Sequence, residues 1–198
     1  MDDNFSLQID KTAVLAMDCQ PFIVSQYAGD QEAFLERAAG LLRAARTAGA
    51  LVVHVQVGFR PGLPEVSDRN RVFAGLKANP QWQEAFAGPA GKVHPVLGPE
   101  PGDVVVTKHR VGAFMGTDLH MILRARDIEV LVLFGIATSG VVLSTLTTAF
   151  DEDYRLVVVS DCCADRDAEL HDRLIHRYFP SRADVITAGE CVRALEAG

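Results

Sequence analysis

Short apolar runs alternate along this chain with segments whose apolar residues recur every three or four positions. The stretch from Glu129 to Asp153, EVLVLFGIATSGVVLSTLTTAFDED, shows both patterns in succession. Val130, Leu131, Val132, Leu133 and Phe134 form an unbroken block, which suits a parallel strand covered on both faces, and Gly135 ends it. Val142, Leu146, Ala149 and Phe150 then share one face of a helix, with Thr138 or Ser139 as the expected N-cap. A helix opening at the carboxyl end of a strand turns unpaired N–H groups toward any ligand bound there.

The same alternation runs through the rest of the chain. TAVLAM (Thr12 to Met17) reads as the first strand and stops at Asp18. Asp30 to Thr47 reads as a helix closed by Gly49, and Ala50 to Val57 as the second strand. Gly58 to Pro101 is richer in Gly and Pro, with short helical pieces at Arg71 to Lys77 and Gln81 to Phe86, and is expected to shape a pocket wall or a subunit contact. Further strands are predicted at Asp103 to Thr107, Leu156 to Ser160 and Ala183 to Thr187. Helices are predicted at Thr117 to Arg126, Asp167 to Tyr178 and Glu190 to Glu196. This order predicts a three-layer α/β/α domain over residues 1–198, with a doubly wound, six-stranded, mainly parallel sheet.

Charge narrows the function classes. A net charge of −7 without a basic run argues against nucleic-acid and anionic-membrane partners and leaves a small-molecule substrate as the expectation. MDDNFSLQID carries neither a basic region nor a signal-length apolar stretch, and the later apolar blocks are strand-sized, so a cytoplasmic location is expected. Cys19, Cys162, Cys163 and Cys191 have no zinc-site spacing and are read as reduced structural thiols.

Asp18, Lys108 and the Gly135 turn all stand at strand ends, where a doubly wound sheet gathers its ligand-binding groups. Two readings remain open at this point: a general acid/base Asp oriented by a Lys, or a strand-end salt bridge.

Three segments carry a resemblance to the isochorismatase-like hydrolases, which include nicotinamidases, N-carbamoylsarcosine amidases and isochorismatases. They are AVLAMDCQ (Ala13 to Gln20), VVVTKHRVGAFMGTDL (Val104 to Leu119) and VLFGIATSGVVLSTLTTAFDEDY (Val132 to Tyr154). By that resemblance Asp18 matches the acid/base Asp and Lys108 its Lys partner. Val141 stands where thiol members carry the nucleophilic Cys of Gly-x-x-Thr-x-x-Cys. Valine has no lone pair, so no acyl-enzyme forms there. The family's cis peptide, which turns N–H groups toward substrate, maps to Ile136 and Ala137. The nicotinamidase metal site finds no match, because His54 lies within a strand and Gly58 to Arg71 has no His; neither a metal nor another cofactor is expected.

What the resemblance implies is a cofactor-independent hydrolase in which Asp18 protonates a bond such as an enol ether and water attacks without a protein nucleophile. Gln56, Arg60, Arg69 and Arg71 are available to hold substrate carboxylates, without a spacing that assigns them roles. His171 is available to pair with a neighbouring acid and is assigned no mechanism, and no His is expected to activate Thr138, Ser139 or Ser144. One alternative is a catalytically silent binding or scaffold protein; another is an amidase with a relocated thiol. Self-association as a homodimer or homotetramer is also implied.

Overall fold

The computed structural model describes residues 5–198. Strands β1 (Thr12–Met17), β2 (Leu51–Val57), β3 (Val104–Lys108), β4 (Val130–Ile136), β5 (Arg155–Ala164) and β6 (Asp184–Ile186) form one parallel sheet in the order β3-β2-β1-β4-β5-β6. Helices α1 (Pro21–Tyr27), α2 (Gln31–Ala48), α3 (Arg71–Lys77), α4 (Pro80–Ala87), α5 (Leu119–Ala125), α6 (Leu143–Asp151), α7 (Ala168–Arg173) and α8 (Ala188–Ala197) complete the chain and cover both faces of the sheet. Every residue of β1, β2 and β4 is buried, as continuous apolar runs require. DVVVT is equally apolar, yet β3 is an edge strand and Val105 is 41% exposed.

Local chemistry explains most boundaries. The Asp30 side chain accepts from the Ala33 N–H at the start of α2, and Gly49 closes that helix at φ 89°. Thr187 and Glu190 form a reciprocal capping box that opens α8 two residues earlier than expected. Strand β5 runs past the expected Ser160 to Ala164, and Cys162 and Cys163 lie in its last residues. The short helix α1 carries no side-chain cap, and its seven residues left no amphipathic stripe to recognise. Phe150 departs from its expected buried face: it is 45% exposed, while Val142, Leu146 and Ala149 are buried.

Gly135 permits the close approach of the two central strands. It has φ 139°, and a Cβ there would lie 2.0 Å from the Met17 carbonyl oxygen. Gly135→Ala is expected to lower unfolding stability by more than about 3 kcal/mol, read from urea denaturation midpoints, because backbone rather than a flexible side chain would have to move.

Candidate active site

The sheet reverses its direction of growth between β1 and β4, the position where doubly wound folds leave a crevice at the carboxyl ends of the strands. Met17 is in register with Gly135, so Asp18 and the end of β4 emerge side by side. Asp18 has φ 55°, a left-handed conformation that Asp tolerates better than most side chains, and its N–H donates to the Val55 carbonyl at 2.7 Å. Lys108 ends β3 in register with Val57, two strands from Asp18 and hence roughly 10 Å across the sheet. Its long side chain spans the end of β2. There Nζ lies 2.8 Å from Asp18 Oδ2 and donates to the Arg110 carbonyl at 3.0 Å.

The pair is buried, and Asp18 Oδ1 has no hydrogen-bond partner among the described residues. Burial pushes the Asp18 carboxyl above the usual range, and the opposing charge and hydrogen bond of Lys108 only partly offset this. A carboxyl with one oxygen held by an ammonium and the other unpartnered is suited to proton transfer.

Asp18 and Lys108 line a cavity of about 390 Å³. The segment between β2 and β3 supplies one wall through Phe73, Leu76, Trp82 and Phe86, and α1 adds Ile23 and Tyr27. The aromatic rings brace one another: Trp82 packs edge-on against Phe22 at 4.9 Å between centroids, and Phe59 contacts Phe73 at 5.8 Å. Gln20 ties this wall to the sheet. Its amide donates to the carbonyls of Val57 (2.9 Å) and Gly91 (2.7 Å) and accepts from the Val57 N–H (2.8 Å). The segment therefore forms a pocket wall, one of its two expected roles.

Opposite stands the turn after β4. The Ile136–Ala137 peptide is cis, and Ile136, Ala137, Gly140 and Val141 all line the cavity. Thr138–Val142 forms one wide helical turn leading into α6, without a side-chain cap. Neither Thr138 nor Ser139 caps as expected. The Ser139 N–H donates to Asp165 Oδ2 at 2.7 Å, so a carboxylate from the β5–α7 connection takes the capping role. Thr138 is fully buried, with Oγ1 2.8 Å from His171 Nδ1. His171 thus pairs with a hydroxyl rather than with an acid, and a His does stand beside Thr138. Sequence spacing could not pair them, because 33 positions separate the two.

Several candidates fall away from the cavity. Gln56 donates to Thr107 Oγ1 at 3.1 Å, Arg60 pairs with Glu65, and neither they nor Arg69 and Arg71 line it. His54 instead joins a buried network, with Nε2 3.0 Å from Asp103 Oδ2, which also accepts from Arg46 Nη2 at 2.7 Å. Burial pushes the His54 pKa down despite Asp103. Among the described residues no group of three or more His, Cys, Asp or Glu side chains is placed to hold a metal ion, and no helix is long and apolar enough to cross a membrane.

All four cysteines are buried and none lines the cavity. Burial raises every one of these thiols, Cys163 and Cys191 to about 12 and Cys19 and Cys162 further. Native protein treated with iodoacetamide is therefore expected to stay unlabelled by mass spectrometry, while Val141→Cys gains a single adduct at residue 141. Rapid labelling of a native cysteine would contradict this.

Comparison with known proteins agrees with the geometry. The family model described as "Isochorismatase domain" matches residues 12–190. The chain is 30% identical over 170 residues to maleamate amidohydrolase of Pseudomonas putida, covering 85% of this chain and 78% of that protein. It is 32% identical to the uncharacterized isochorismatase family protein YecD of Escherichia coli O157:H7, covering 96% and 98% respectively. An isochorismatase family protein from Burkholderia thailandensis superposes with a TM-score of 0.80 at 32% identity, over 96% of this chain and 98% of the other.

Proposed function

The chain belongs to the isochorismatase family, and from that premise we propose that it is a cofactor-independent small-molecule hydrolase in which Asp18 acts as acid and base and water attacks directly. The observation that carries this is the buried Asp18–Lys108 pair on the wall of an open cavity, with Asp18 Oδ1 unpartnered. A buried ion pair without a task is replaceable by apolar packing at little cost, which weighs against a catalytically silent binding or scaffold protein.

In the favoured reaction, protonated Asp18 delivers its proton to the terminal carbon of an enol ether, leaving an oxocarbenium ion. The new carboxylate is held by Lys108 and takes a proton from water as the water oxygen bonds to the cationic carbon. The resulting hemiketal collapses to a ketone and an alcohol. Val141 provides no nucleophile, and none is needed. The carboxyl raised by burial favours this acid role.

A second reading follows from the similarity to a maleamate amidohydrolase. There Asp18 would act first as a base, activating water against an amide carbonyl. The two predict opposite pH dependence: the enol-ether rate falls as pH rises through the Asp18 pKa, whereas the amide rate rises. The test is an NMR time course with isochorismate, α-methoxystyrene and maleamate beside the Asp18→Asn variant. Turnover that vanishes in the variant supports the hydrolase. Across a wide panel, absence of turnover in both proteins would favour the scaffold.

A further inference from the structure

The wall facing Asp18 is built for one kind of molecule. Phe73, Leu76, Trp82 and Phe86 present aromatic and aliphatic surface, and Val72, 66% exposed, stands at the mouth. Lys108 is the one cationic side chain among the residues lining the cavity. It is buried, with two of its three donors directed at Asp18 and at the Arg110 carbonyl. Arg60, Arg69 and Arg71 all lie outside the lining, so the far end of the cavity offers a carboxylate no counter-charge. An anion placed there loses its hydration without a partner, whereas an aromatic ring gains contact with Trp82 and Phe86.

Resting on the hydrolase reading, we propose that this site takes a neutral substrate. The hydrolysable group lies at Asp18, and an uncharged aromatic or branched aliphatic body extends between Phe73, Leu76, Trp82 and Phe86. The cavity volume of about 390 Å³ admits a body of one ring with a short substituent. The Asp18 carboxyl, which lines the cavity, meets the single polar group of such a molecule. Small dicarboxylates are disfavoured by the same wall.

Binding can be read apart from turnover, because the chain has a single Trp and its indole N–H gives one self-assigned NMR peak from the cavity wall. The probes are α-methoxystyrene and its 4-carboxy derivative, which differ by one charge at the end remote from the reacting bond. The neutral compound is expected to shift the Trp82 peak saturably, with the carboxylate binding at least about tenfold more weakly. Val72→Lys, at the solvent-exposed mouth, is expected to raise the affinity for the carboxylate relative to the neutral compound several-fold. Equal or tighter binding of the carboxylate by the unaltered protein would overturn the proposal, as would failure of both compounds to move the peak. Neutral binding without hydrolysis would uphold the substrate class and count against the hydrolase reading instead.

Discussion

Asp18→Asn is expected to cut turnover by about 10²–10⁴-fold, the usual contribution of a positioned acid/base group. Asparagine is the informative replacement for two reasons. It tolerates the left-handed backbone that Asp18 adopts at φ 55°, and its amide oxygen still accepts a hydrogen bond from Lys108 Nζ, 2.8 Å from Oδ2 in the parent. Fold and cavity shape are thus kept while the transferable proton is removed. Circular dichroism melting separates lost chemistry from lost structure. A variant that melts like the parent and still turns over the substrate would remove Asp18 from the reaction.

Lys108→Met carries the second large effect, on stability and on pH dependence together. Truncating one partner of a buried ion pair leaves the other uncompensated, and about 3–5 kcal/mol of unfolding free energy is expected to be lost near neutral pH. The sign with pH follows from the carboxyl. Burial already holds the Asp18 pKa above its ordinary value, and the nearby ammonium is what limits the rise. Without it, folded Asp18 keeps its proton to still higher pH. Between the unfolded and folded pKa values the folded state binds more protons, so stability falls as pH rises through that window. In Lys108→Met the window extends upward, and the stability deficit should grow from acidic toward neutral pH in urea denaturation series. Any residual enol-ether hydrolysis should persist to higher pH than in the parent. An unchanged profile would mean that the two groups do not share a proton-transfer role.

Much of this was legible in the sequence because it is written in local patterns. Unbroken apolar runs identified the interior strands, the helical stripe and Asp30/Gly49 delimited α2, and the alternation of elements implied the parallel sheet. The strand-end positions of Asp18 and Lys108 came from the same punctuation, and Val141 from the resemblance to the thiol members' Gly-x-x-Thr-x-x-Cys. All three line the cavity.

Only the tertiary structure decided which distant groups meet. Nothing local tells Thr138 that its hydroxyl will face His171 rather than cap its own helix, or that Asp165 will take the Ser139 N–H. These contacts arise from the lateral order of β4 and β5. The same holds for the character of the pocket: Arg60, Arg69 and Arg71 are as close in sequence to its wall as Phe73, yet they lie outside it and the wall is apolar. Sequence determined the elements and the two charged strand ends, because propensity and hydrophobic period act over a few residues. The unpartnered oxygen of Asp18 and the uncharged wall opposite it depend on packing between segments far apart in the chain, and so belong to the fold alone.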